Sequence, residues 1–140
     1  MELWREVWRE NIVPQLNTKG LEALRLALLT DDPRLIQRYV VKGVSGVINK
    51  TVFNDIVGAC AVGYAEWHGK DLTNCYDVVQ AYLSVLCKPP IVGFTPWFDM
   101  TPRQEMRKAL LPEVNLALAQ REDSCLASEV DPILDNCCVI

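Results

Sequence analysis

Apolar residues recur at three- and four-residue intervals along most of the 140-residue chain, a spacing that predicts helices. Leu3, Trp4, Val7, Trp8 and Ile12 mark one side of a first segment. Arg5, Glu6, Arg9 and Glu10 hold the other side, and Pro14 ends it. Thr18 is placed to cap a second helix running through Leu29. Leu21, Leu24 and Leu28 point inward there, and Leu26 with Leu29 widens the stripe enough to bury more than one side. Asp32-Pro33 reads as a restart, with Asp at the N-cap and Pro at the first helical position. Leu35, Ile36, Tyr39 and Val40 follow it, Gly43 is placed as the C-terminal cap, and "GVSGVINK" reads as a connector.

The stretch from Thr51 to Trp67 predicts a central helix with little side chain on it, since Gly58, Ala59, Ala61, Gly63 and Ala65 all fall within it. Two glycines inside a helix cost about 0.5–1 kcal/mol each relative to alanine, and close approach of a neighbouring backbone offsets such a cost most simply. The same smooth strip, bounded by Gly58, Cys60, Gly63, Trp67 and His68, is also a candidate groove for a small ligand. Thr73 is placed to cap the next helix, with Val78, Val79, Tyr82, Leu83 and Leu86 inward, and Pro89-Pro90 stops it. Residues 91–100 then read as an aromatic loop carrying Phe94, Trp97 and Phe98. Thr101, Pro102 and Gln104 form a helix start, and Met106, Leu110, Val114, Ala117 and Leu118 carry that helix to about Arg121. Pro112 predicts a kink or break within it. The pattern dissolves after Glu122. The fold expected is all-α: a single bundle of about six helices over residues 1–122, with an irregular acidic tail over 123–140.

Charge sharpens that division. Residues 122–140 hold Glu122, Asp123, Glu129, Asp131 and Asp135 and no base, while the other 13 acids share the body with all 14 Lys and Arg. The bases are scattered singly, Arg103, Arg107 and Lys108 being the densest group. This argues against nucleic acid, whose phosphates need clustered cations. Charged residues interrupt the first ten positions, so no secretory signal is expected there, and no apolar run approaches the ~20 residues that span a bilayer. A cytoplasmic protein with no transmembrane segment is the expectation, reaching a membrane only if its tail is lipidated.

Six cysteines bear on the chemistry, at positions 60, 75, 87, 125, 137 and 138. Cys60, Cys75 and Cys87 fall in apolar helical patterns, where a reduced cysteine behaves as a small hydrophobe. Cys75 and Cys87 lie roughly 18 Å apart along one helix, too far to share an ion, and no local pair has zinc-ligand spacing, so no metal is expected. His68 is the single histidine, and Cys60 lies two helical turns upstream of it, beyond hydrogen-bond reach. No phosphate-binding glycine loop or nucleophile elbow is present, so neither catalysis nor a cofactor is expected.

The expected function is therefore a non-catalytic helical module acting through protein–protein contact, with self-association as its first form. Its candidate surfaces are the Trp4/Trp8 face and the Phe94–Trp97–Phe98 loop. Two alternatives remain open. In one, the protein is a substrate or precursor whose tail is modified at Cys125, Cys137 or Cys138, by prenylation of the terminal CCVI or by leader–core processing. In the other, it binds a small ligand, or is a Cys/His-dependent enzyme, in the Gly58–His68 strip.

Overall fold

A computed structural model of the chain describes residues 2–48, 51–86 and 93–129. The fold is mostly helical, as the spacing predicts, but it also carries a two-stranded antiparallel sheet, so it is not all-α.

Helix α1 (Leu3–Val7) continues into a π-helical turn over Trp8–Ile12 and a 3-10 turn over Val13–Gln15. Trp4, Val7, Trp8 and Ile12 are buried, whereas Leu3 is exposed. Helix α2 (Thr18–Thr30) is capped by Asn17 rather than Thr18: Asn17 Oδ1 accepts from the Gly20 N–H at 2.8 Å. Leu21, Leu24 and Leu28 are buried, but Leu26 and Leu29 are 58% and 48% exposed, so α2 covers one face and not two. It ends at Asp31, in the left-handed region at φ 54°.

The helix expected over residues 32–40 does not form. Asp32 Oδ1 accepts from the N–H of Arg34, two residues on, at 2.8 Å. That side chain closes a local turn instead of capping a helix. The chain then runs extended: Ile36 N–H donates to Ala59 O and Ala59 N–H to Arg34 O, both at 2.9 Å. Next come strands β1 (Val41–Ile48) and β2 (Thr51–Ala59), paired from Val41–Ala59 to Ile48–Thr51 with Val57 as an extra residue in a bulge. The supposed connector is thus a strand, and the central helix begins only after Ala59. Val41, Val44, Val47, Ile48, Val52, Ile56 and Val57 are β-branched, and that stiffness favours the pleated ribbon.

Helix α3 (Ala61–Gly69) crosses α2 at close range. A Cβ built on Gly20 would lie 2.3 Å from Ala65 O, and one on Gly63 would lie 2.6 Å from Val40 O. Close backbone approach is therefore what the glycine at position 63 permits. Helix α4 (Cys75–Leu86) is capped by Asn74, whose Oδ1 accepts from the Asp77 N–H, rather than by Thr73. Val78 and Val85 are buried and Leu83 is exposed, while the side chain of Leu86 lies outside the described residues. The aromatic loop contains a short helix, α5 (Thr95–Met100). Thr101 Oγ1 donates to Trp97 O, closing α5 instead of opening the next helix. Helix α6 (Arg103–Glu129) runs unbroken through Pro112, about 40 Å at 1.5 Å per residue, and past the 122/123 boundary.

Three arginines of α6 tie the body together. Arg107 donates to the carbonyls of Leu28 and Leu29, Arg121 to those of Val13 and Leu16, and Arg103 to those of Asp32 and Leu35. The carbonyls of Leu28 and Leu29 belong to the last turn of α2, which leaves such groups without helical partners. Arg103 and Arg107, two of the three residues in the densest basic group of the sequence, are thus committed internally.

Candidate functional site

The two expected interaction surfaces meet each other inside the protein. Trp4 and Trp97 stack with ring centroids 3.6 Å apart, Trp8 lies 5.3 Å from Phe94, and Phe94 lies 5.9 Å from Phe98. Trp4, Trp8, Phe94 and Phe98 are buried and Trp97 is half-buried. Each set of rings covers the other, because α5 folds back against α1, so neither is an open face. Arg9 on the polar side of the first segment forms a bidentate pair with the buried Glu113 of α6, at 2.6 and 2.9 Å.

The residues of the predicted groove are spread around α3 instead of lining one strip. Gly58 lies in β2 beside Arg34 and Ile36, and Cys60 precedes the first turn of α3. Trp67 and His68 close its last turn, stacked with centroids 4.3 Å apart, with Tyr64 4.4 Å from His68. Tyr64 donates to Asp32 Oδ2 at 3.1 Å, and Arg34 pairs with the same carboxylate at 2.7 Å. The hydrogen bonds from Arg34 hold Asp32 down at about 2, against the desolvation that opposes them. Burial, with the Asp32 charge second, pushes Tyr64 up to about 12. Burial lowers His68, and the nearby Arg34 adds to this. Burial also pushes the Cys60 thiol up to about 12, so at neutral pH it is protonated and not a nucleophilic thiolate.

Two features stand outside those expectations. The first is the β1–β2 arm. Its strands contact each other far more than the body, touching α3 and α4 only lightly. The base of β2 is flanked on its outer side by residues 34–36, whereas no strand among the described residues pairs with the outer edge of β1. Lys42, Gly43 and Val44 on β1 and Val57 on β2 are exposed. The sequence does carry a signal for this ribbon, two β-branched runs separated by two residues, but Gly43, Gly46 and Gly58 interrupt the alternation that would announce it.

The second is a cavity of about 90 Å³ between the segment before β1, α3, α4 and α5. Arg38 and Asp99, of opposite charge, are among the residues that line it, with Tyr39, Cys60, Tyr82 and Phe94. Asp99 Oδ1 accepts from the N–H of Arg38 at 2.8 Å and so holds Arg38 in a left-handed conformation, φ 77°. Gln37 straps the same segment to α5, donating to Phe98 O and Thr101 O, both at 2.7 Å. Of the expected groove residues only Cys60 reaches this cavity. Tyr39, Tyr82 and Asp99 come from three separate elements, and no sequence spacing joins them.

Cys137 and Cys138 lie outside the described residues, as does Cys87, and Cys125 is described only as backbone within α6. No described helix is long and apolar enough to cross a membrane. No family model, curated protein or solved structure matches the chain.

Proposed function

We propose that the protein works without catalysis, by self-association through the β1 edge of its hairpin arm. The observation that carries this reading is a ribbon of two strands with little support from the body, in which no strand among the described residues pairs with the outer edge of β1. A lone two-stranded ribbon is marginally stable in water, and a third strand or a covering face is what stabilises it. An unpaired edge presents a row of backbone donors and acceptors to another chain. A second copy fits that edge. Strand β1 holds one charge, Lys42 near its first residue, so two antiparallel copies keep their lysines at opposite ends of the pair. Val44, 54% exposed, would be covered by the partner strand.

Light scattering across a micromolar concentration series tests this. A dimer that dissociates on replacing Val44 with lysine is the expected result. A wild-type protein that stays monomeric throughout would remove the proposal. So would a dimer that V44K leaves intact.

A further inference from the structure

His68, the single histidine, carries an inference independent of the arm. It sits in the last turn of α3, its ring against those of Tyr64 and Trp67 at centroid distances of 4.4 and 4.3 Å. Its Nε2 is buried and meets no hydrogen-bond partner among the described residues. The charges acting on the ring come in matched pairs. The segment before β1 presents Asp32 and Arg34, paired at 2.7 Å, while α2 presents Lys19, paired at 2.5 Å with Asp71 just after α3. Glu66 and Lys70, on α3 and at its end, pair with each other at 2.6 Å. Each of these carboxylates is therefore held by a cation of its own, and none reaches Nε2. A helix C-terminus favours a cation, but a proton added at Nε2 would create a buried N–H without an acceptor. Burial and Arg34 disfavour the charged ring more than Asp32 and Asp71 favour it.

The same turn is pressed onto the start of α2. Asn17 Nδ2 donates to Gly69 O at 2.9 Å, and a Cβ built on Gly69 would lie 2.4 Å from Asn17 Oδ1. Lys70 N–H donates to Glu66 O at 3.0 Å and Leu72 N–H to Trp67 O at 2.9 Å, which closes the turn, with Asp71 in the left-handed region at φ 53°. A charged ring gains water at Nε2 only by leaving this place. We propose that the last turn of α3 is an acid-released latch: protonation of His68 frees it from the start of α2. Once released, the ring takes up its proton near the ordinary value of about 6.5, whereas the closed turn takes it up only at lower pH. The latch is thus closed above about pH 7 and weakens as pH falls through about 6.5.

The test uses the whole protein, in which one histidine gives one imidazole signal by NMR. That signal should titrate with a midpoint below the ordinary value. Hydrogen exchange, corrected for its intrinsic pH dependence, should show the Lys70 and Leu72 amides losing protection severalfold between about pH 7.5 and about pH 5.5, while those of α6 do not. His68→Phe keeps a ring and removes the titrating nitrogen, so both amides should keep their protection over that range. Should that variant fail to fold, His68→Gln, neutral at every pH, gives the same reading. The proposal is overturned if the signal titrates at or above the ordinary value, if the wild-type amides keep their protection, or if the folded variant loses it as the wild type does.

Discussion

The helical body and the hairpin arm satisfy their exposed groups in opposite ways. In the body, α1 and α5 bury their rings against each other, and α6 sends Arg103, Arg107 and Arg121 to backbone carbonyls of the preceding segments. In the arm, β1 and β2 pair with each other, and among the described residues no strand pairs with the outer edge of β1. The difference teaches that bulk hydrophobicity is a poor guide to which side chains this fold leaves exposed. The most aromatic segments are used up in forming the fold, and the surface left open is backbone edge with small and β-branched side chains.

If that contrast holds, the largest stability losses come from the body. Phe94→Ala empties a fully buried ring site contacting Trp8 and Phe98, and should cost about 3–5 kcal/mol, read as a lower denaturant midpoint at unchanged slope. A loss below about 1 kcal/mol would mean that the ring layer is loosely packed. Gly20→Ala drives a methyl group into Ala65 O where α2 and α3 cross, and should cost about 1–3 kcal/mol by the same assay.

The Asp32 network gives a pH dependence of smaller size. Its folded value of about 2 lies below the unfolded range, so its contribution is present above about pH 4 and is lost as pH falls toward 2. Allowing for partial solvent screening, that contribution is about 1–2 kcal/mol. Asp32→Asn should flatten the fall in melting temperature between pH 5 and pH 2, to about that extent. An unchanged slope would show that other carboxylates carry it. The smallest effect belongs to the arm: Val44→Lys should move the stability of the dilute monomer by no more than about 0.5 kcal/mol, because that side chain is 54% exposed.

Much of the body was legible because helical periodicity survives in α1, α2 and α6, where Trp4, Leu24 and Met106 sit at the predicted inward positions. The caps were displaced by one residue at Asn17 and Asn74, whose amide side chains reach the free N–H groups that Thr18 and Thr73 were expected to serve. The failures share one cause. Between Asp32 and Ala59 the sequence mixes helix-start chemistry, glycines and apolar spacing, and only tertiary pairing decides the outcome: Arg34 and Ile36 against Ala59, and Val40 O against Cys60 N–H. The cavity was illegible for the same reason. The segment holding Tyr39 is brought to α5 by the Arg38 N–H donating to the Asp99 carboxylate across 61 residues of sequence, with Gln37 strapping it to Phe98 O and Thr101 O.

Hydrogen exchange followed at low and high protein concentration tests the central claim most directly, because it reads the two regions in one sample. The account predicts that amides along β1, around Lys42 to Val44, gain protection as concentration rises while those of α2 and α6 do not change. Equal protection of β1 at both concentrations, or a gain confined to the helices, would contradict it.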